Sequence, residues 1–171
     1  MTGHDTEKKA IVIHIELTAP GGPHPAGKPV PVSVSVVGTT ELLLVGVLDG
    51  SEDGSRYPRY RPAVSLGGQI VAAPPAAEDP LVAALRVSDF VRLAPGEPFD
   101  PCASRSLATF ETFVPEAPGS YVYTLTLDTQ SSAPEQWLGR INQTDVPEVL
   151  ALVSQVPRFR VTSPPLVVEV R

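Results

Sequence analysis

The segment at residues 118–127 constrains the fold of this chain more than any other, because it joins a turn signal to a strict alternation of side chains. Pro118 and Gly119 favour a tight turn. Every second residue after them is large and apolar or aromatic: Tyr121, Tyr123, Leu125 and Leu127. Alternate side chains of a β-strand point to opposite faces of the sheet. The segment therefore predicts a strand with one face against a hydrophobic core.

Proline supports the same fold class along the rest of the chain. It accounts for 20 of 171 residues, about twice its usual share of roughly 5%. Proline is disfavoured inside helices and central strands, so its spread favours short strands joined by tight connections. Alternating or apolar runs lie at residues 11–17, 30–36, 42–48, 63–73, 85–93, 107–114 and 166–170. About eight or nine such strands indicate an antiparallel sandwich or barrel, and the proline-rich borders favour the sandwich because they protect open edges.

Three of these runs carry further detail. The run at 42–48 is apolar on both faces, which is typical of a strand that is covered on both sides. Gly67-Gly68 predicts the tight turn of a hairpin. Asp89 interrupts the apolar face of its run, which predicts a β-bulge.

One segment, residues 145–156, has the signals of a helix. Thr144 or Asp145 can cap its N-terminus, and Pro147 in the first turn is followed by good helix formers. Trp137 precedes this segment. We predict that the tryptophan ring covers one end of the core while its indole N–H stays in water.

Motifs in the second half of the chain carry a family resemblance. They are Phe90-Val-Arg-Leu-Ala-Pro-Gly-Glu97, Pro118-Gly-Ser-Tyr121, Trp137-Leu-Gly139, Val161-Thr-Ser163 and Val167-Val-Glu-Val170. With these motifs, residues 85–171 resemble bacterial immunoglobulin-like domains, among them the intracellular proteinase-inhibitor family. The resemblance implies that Tyr121 forms a tyrosine corner, with its hydroxyl bonded to nearby backbone. It also implies that Tyr123 fills by packing the space where related domains place a disulfide cysteine. It transfers no functional residue.

Pattern and resemblance together predict an all-β chain with one domain. We expect an immunoglobulin-like antiparallel β-sandwich over residues 10–171 with one short helical insertion near 145–156. Residues 1–9 are polar and charged, and we expect them to form a flexible N-terminal tail.

Net charge and cysteine content restrict the function. A net charge of −6 gives no general attraction for nucleic acid or for anionic membranes. The single cysteine, Cys102, excludes an intrachain disulfide. The N-terminus lacks a signal-type apolar segment, and no run reaches the ~18 apolar residues of a membrane span. We expect a cytoplasmic protein that binds neither nucleic acid nor membrane.

The one basic and aromatic cluster of the chain contains Arg56, Tyr57, Arg59, Tyr60 and Arg61. Arginine and tyrosine are the residue types that carry much of the binding energy at protein interfaces. The cluster therefore predicts contact with another protein. Two alternatives stay open: an anionic ligand, or a strand whose tyrosines cover the core while its arginines extend over the rim.

Residues 49–54 match the beginning of a calcium-binding loop. Asp49, Ser51 and Asp53 supply oxygens at alternate positions, and Gly54 stands at the sixth position. The twelfth position should be a bidentate glutamate, but it is Tyr60. We predict a solvated loop and no metal site, with calcium binding as the alternative.

No motif commits the chain to a catalytic mechanism or to a cofactor. It lacks a nucleophile elbow, a phosphate-binding glycine loop and a dinucleotide fingerprint. We predict a non-catalytic protein-binding or assembly module whose loops or edge strands recognise another protein. One alternative is an intracellular proteinase inhibitor that uses the loop Ala73–Pro80. Another is a small hydrolase or transferase that uses Cys102 or His14, neither of which has a partner nearby in sequence.

Overall fold

The computed structural model describes residues 11–77 and 81–171, so the predicted tail at residues 1–9 lies outside the described residues. The strands are β1 (Ile13–Thr18), β2 (Ser33–Gly38), β3 (Leu42–Val45), β4 (Arg59–Leu66), β5 (Gln69–Ala72), β6 (Phe90–Leu93), β7 (Gly119–Asp128), β8 (Arg160–Thr162) and β9 (Leu166–Val170). The α-helices are α1 (Ala108–Thr112) and α2 (Val146–Val153). Short 3-10 helices span Val87–Asp89 and Pro134–Gln136. The prediction of an all-β chain with a short helix near 145–156 agrees with this content.

Five strands form one antiparallel sheet. Its order is β5-β4-β7, and β8 and β9 pair one after the other with the far edge of β7. The other strands form two antiparallel ladders, β1-β2 and β3-β6. Phe99 exchanges two backbone hydrogen bonds with Val36 of β2, and Val47 after β3 donates to Pro101. The segment at residues 99–101 therefore connects the two ladders.

The main hydrophobic core receives side chains from both groups of strands. β7 contributes Tyr121, Tyr123, Leu125 and Leu127, all of which are buried. Ile13 and Ile15 of β1 and Val36 of β2 lie in the same cluster. The alternation at 118–127 thus predicted both the strand and its buried face correctly.

β3 is buried on both faces, as its sequence predicted. Leu42 and Leu44 belong to the main core. Leu43 and Val45 point the other way into a second cluster, which also contains Trp137 and residues of α2. α2 and the segment before it therefore cover the outside of β3 and create a second, smaller core.

The β4-β5 hairpin is also confirmed. Gly67 and Gly68 adopt φ of 58° and 79°, the left-handed region that a tight hairpin turn requires and that glycine enters at low cost. β4 and β5 pair in antiparallel register around this turn, with a register shift after Val64.

The strand predicted at 107–114 is wrong, because α1 occupies this segment. The first N–H groups of a helix have no partner within the helix. Here the carboxylate of Glu52 accepts hydrogen bonds from the backbone N–H of Ala108 and Thr109, at 2.8 and 2.7 Å. A carboxylate at this end of a helix is favourable. The stabilising group comes from a distant loop, and local sequence did not show it.

Two smaller predictions are also corrected. Asp89 creates no bulge; it ends a 3-10 helix, and its carboxylate accepts a hydrogen bond from the backbone N–H of Arg86 at 2.8 Å. Asp145 precedes α2, but its backbone is left-handed with φ of 54°, and its side chain makes no capping hydrogen bond. Pro147 lies in the first turn as predicted.

The two tyrosines of β7 differ in the hydrogen bonding of their hydroxyl groups. The hydroxyl of Tyr121 donates to the carbonyl of Ala117 at 2.8 Å, which confirms the predicted corner contact. The hydroxyl of Tyr123 is buried and has no hydrogen-bond partner within the described ranges. Burial raises the pKa of Tyr123 to about 12.

We therefore expect opposite results from removing the two hydroxyls. Tyr121→Phe should lower the free energy of unfolding by about 1 kcal/mol, the usual net contribution of a hydrogen bond. Tyr123→Phe should leave it unchanged or raise it by up to about 1 kcal/mol, because a buried hydroxyl without a partner is unfavourable. Urea denaturation of both variants measures the difference. A larger loss from Tyr123→Phe than from Tyr121→Phe would contradict this assignment.

Candidate functional site

Three residues of the predicted partner-binding cluster have their side chains in the interior. Arg56 is 2% exposed, and its Nη1 and Nη2 donate to the carbonyls of Ala83 and Trp137 at 2.5 and 2.7 Å. Tyr57 packs beside Trp137, with ring centroids 6.0 Å apart. The buried hydroxyl of Tyr60 donates to the carbonyl of Val45 at 2.6 Å. A partner cannot reach these side chains in this conformation, so partner contact stays a prediction for Arg59 and Arg61.

Arg59 and Arg61 lie on the outward surface of the five-stranded sheet. Directly opposed residues of antiparallel strands share one face of a sheet. Arg59 stands opposite Asp128, which in turn stands opposite Arg160. Arg61 stands opposite Thr126. We call Arg59, Arg61 and Arg160 the arginine end of the outer face.

The other end of the same face is apolar. Ser65 of β4 stands opposite Ile70 of β5 on one side and Val122 of β7 on the other. Val122 stands opposite Val167 of β9. Ile70 and Val167 are 69% and 56% exposed. We call Ile70, Val122 and Val167 the apolar row, and the outer face consists of this row, the arginine end and the residues between them.

Burial separates the outer face from the core in the same strands. In β7, Val122, Thr124, Thr126 and Asp128 are half-buried, whereas Tyr123, Leu125 and Leu127, which alternate with them, are buried. The residues of β8 and β9 that stand opposite them, Arg160 and Val167 among them, are exposed. The side chains that alternate with the core residues therefore form the outer face.

The arginine end has donors available for a ligand. Within residues 11–77 and 81–171, none of its three arginines takes part in an ion pair. Arg61 donates once, to the carbonyl of Glu52 at 2.8 Å. The guanidinium of Arg59 stacks on the ring of Tyr57, 4.2 Å from its centroid, an attractive arrangement that fixes its orientation.

The carboxylates beside these arginines accept hydrogen bonds from residues close to them in sequence. One carboxylate oxygen of Asp128 accepts from the backbone N–H of Gln130 at 2.8 Å. Asp53 accepts from the N–H and hydroxyl of Ser55, at 2.8 and 2.6 Å. The arginines and these aspartates surround a shallow depression of about 320 Å³. The arrangement suits a carboxylate or another planar anion that guanidinium groups can bind in bidentate fashion.

The loop at residues 49–54 uses its oxygens internally. The Ser51 hydroxyl is buried and accepts from the N–H of Leu48 at 3.0 Å. Asp49 accepts from the N–H of Ala83 at 3.0 Å and pairs with Arg105 at 3.7 Å. Across the described part of the chain, no group of three or more His, Cys, Asp or Glu residues could hold a metal ion.

Cys102 and His14 lie apart from the outer face. Cys102 is half-buried, and burial, with a smaller contribution from Asp100, raises the pKa of its thiol to about 12. The thiolate is the nucleophilic form of cysteine, so this thiol is protonated and unreactive near neutral pH. His14 is exposed on β1, where it stands opposite Val37.

The other predicted features have clear positions. Residues 73–77 of the predicted inhibitory loop have no regular secondary structure and are mostly exposed, while residues 78–80 lie outside the described residues. Trp137 is buried as predicted, but its indole N–H donates to the carbonyl of Ser131 at 2.9 Å and is not in water. No helix of the described ranges is long and apolar enough to cross a membrane.

Comparison with known proteins found no matching family model, no similar curated protein and no similar solved structure. The geometry of the chain itself is therefore what indicates its function. The apolar row and Arg160 were missed by the sequence interpretation. The alternation that predicted the core residues of β7 also indicates one residue of the apolar row. Val122 lies between Tyr121 and Tyr123 in sequence, so its side chain must be on the opposite face of the strand.

Proposed function

We propose that the chain is an immunoglobulin-like β-sandwich that acts as a non-catalytic protein-binding or assembly module, and that the outer face is its binding surface. The cytoplasmic location expected from the sequence belongs to the same proposal. The observation that carries it is the apolar row, in which Ile70 and Val167 are exposed, beside an arginine end whose guanidinium groups form no ion pair within the part of the chain that the structure describes. Protein interfaces combine an apolar centre with arginine and are depleted of other charged residues.

The chemistry of the face points to an acidic partner segment with an apolar anchor. The arginine end can hold carboxylates, and the exposed Ile70 and Val167 can bury an apolar side chain. Val122 and Asp128 are six positions apart on β7, which corresponds to roughly 20 Å along a strand. A partner must span that distance to contact both ends, so an extended segment or a flat protein surface fits better than a small molecule.

Nucleic acid fits the face less well. Aspartates stand between the arginines, and the chain as a whole carries a net charge of −6. Both features oppose the dense negative charge of a phosphate backbone. A short acidic segment avoids the repulsion from the rest of the acidic surface because it meets the arginine end and little else, and there three arginines outnumber the two aspartates.

Charge reversal at the arginine end tests the proposal. We expect Arg59→Glu/Arg160→Glu to weaken the binding of the native partner by roughly 30-fold or more, the effect of losing one strong interface arginine. The partner is first captured from the native cell with wild-type protein, and its Kd is then measured with purified components. Ile70→Asn, which adds no charge, should weaken the same complex without changing its salt dependence.

The matched control is Arg86→Glu/Arg140→Glu, which makes the same charge change at two exposed arginines outside the outer face. We expect this variant to bind the partner as wild type does. Equal affinity of all the variants for the partner would overturn the outer face as the binding surface.

A further inference from the structure

A second candidate site lies on the other side of the main core. A cavity of about 430 Å³ opens between the chain that leads into β2 and the segment that contains Cys102 and α1. Its walls include Val32, Leu107 and Phe110. Leu107 and Phe110 are buried and belong to the main core. A cavity of this volume with apolar walls has the size and character of a small-molecule site.

Rigid groups form the mouth of this cavity. Pro29 and Pro31 lie on one side, alternating with Val30 and Val32. Proline fixes its own φ and loses little conformational freedom when a ligand binds. α1 forms the other side, and the carboxylate of Glu52 holds its N-terminus. The cavity is therefore largely formed before a ligand arrives.

The polar groups of the cavity determine which polar group a ligand should carry. Among the described residues that line it, Glu111 is the only charged one, and its carboxylate accepts a hydrogen bond from the hydroxyl of Ser106. Arg105, the neighbouring cation, is directed to Asp49 instead, at 3.7 Å. A carboxylate accepts several hydrogen bonds at once, so Glu111 can bind another donor. Cys102 adds a neutral thiol to the wall.

We propose that this cavity binds a small molecule with an apolar body and a protonated amine, the amine pairing with Glu111. The apolar body fills the space between Val32, Leu107 and Phe110. An anionic ligand is disfavoured because no cation of residues 11–77 and 81–171 lines the cavity, and burying an unpaired carboxylate beside Glu111 is costly. The site is independent of the outer face, so its test does not depend on the protein-binding proposal.

Three probes with one apolar body test the proposal: 4-phenylbutylamine, 4-phenylbutanol and 4-phenylbutyrate. Binding is followed by chemical-shift changes of the amides around the cavity. We expect the amine to bind with a Kd of about 1 mM, an ordinary efficiency for a ligand of this size. It should bind about fivefold more tightly than the alcohol, the ratio that a favourable exposed ion pair gives. The carboxylate should bind most weakly.

Two variants locate the site, and circular dichroism checks that each is folded. Glu111→Gln retains an acceptor for the Ser106 hydroxyl, and it should reduce the affinity of the amine to that of the alcohol. Val32→Phe should fill the half-buried wall and abolish binding of all three probes. Val87→Phe, the same change at an exposed residue outside the cavity, should leave binding unchanged.

Three results would overturn the proposal. One is the absence of binding by the amine at concentrations well above the expected Kd. Another is equal affinity for the three probes that Glu111→Gln does not alter, which would remove the amine as the ligand class. Binding that survives Val32→Phe would place the probes elsewhere on the protein.

Discussion

Replacing Arg56 with alanine is expected to lower the free energy of unfolding by about 4 kcal/mol, within the range seen when one member of a buried charged contact is removed. The Arg56 guanidinium donates to the carbonyls of Ala83 and Trp137, at 2.5 and 2.7 Å, from a side chain that is 2% exposed. Alanine would remove both donors and leave a void where the side chain lay. These bonds join two segments that are far apart in sequence, so their loss should loosen the second core.

The cost of burying this charge is already visible in the folded protein. Desolvation lowers the pKa of Arg56 from its ordinary value, and the nearby Asp49 and Asp89 partly oppose this shift. Both carbonyls would lose this donor in any variant without the guanidinium. Arg56→Met keeps most of the side-chain volume, but it should still lower the free energy of unfolding by about 2 kcal/mol for this reason.

Urea denaturation followed by circular dichroism measures these changes. The matched control is Arg140→Ala at an exposed arginine, which should change the free energy of unfolding by less than about 0.5 kcal/mol. For a domain of this size the Arg56→Ala loss corresponds to a fall in Tm of roughly 10 °C. A loss below about 1 kcal/mol would show that the two hydrogen bonds do not stabilise the fold.

Replacing Trp137 with alanine is expected to have a similar effect, again about 4 kcal/mol. Trp137 is completely buried at the centre of the second cluster. Its ring lies beside Tyr57 and beneath the guanidinium of Arg158, 4.8 Å from the ring centroid. The substitution would open a cavity between β3 and α2 and would leave the carbonyl of Ser131 without its indole donor.

The wild-type protein offers a direct check on this burial. Trp137 is the only tryptophan of the chain, so its fluorescence reports on one position. We expect iodide to quench it poorly. Trp137→Phe should lower the free energy of unfolding less than Trp137→Ala does, because it keeps an aromatic ring. Val167→Ala on the outer face should leave the free energy of unfolding almost unchanged. Efficient quenching by iodide would contradict the second core.

Periodicity predicted the parts of the fold in which local pattern and burial agree. β7 and its buried face follow from alternation at 118–127, and the β4-β5 hairpin follows from Gly67-Gly68. The period of a strand decides which side chains share a face, and this property is local. The same reasoning predicted that 42–48 is covered on both sides.

Other elements depend on contacts between residues that are far apart in sequence, and local sequence patterns do not show such contacts. The segment at 107–114 has an apolar pattern that suits a strand, but it forms α1 because Glu52 supplies the partners of its first N–H groups. Arginine side chains are mostly exposed on protein surfaces, so the residue type alone predicts that Arg56 is exposed. Backbone carbonyls from two distant segments receive its donors and allow it to be buried.

The sequence by itself determined the antiparallel β class, the face of β7 that enters the core and the lack of an intrachain disulfide, because alternation and cysteine content need no tertiary information. Only the tertiary structure decided which members of the Arg/Tyr cluster lie on the outer face and which lie in the interior. It buries Arg56, Tyr57 and Tyr60 and leaves Arg59 and Arg61 on the outer face. The physical reason is that burial depends on which strands and loops meet in space, since the buried donors of Arg56 and Tyr60 find their acceptors on residues outside their own segment.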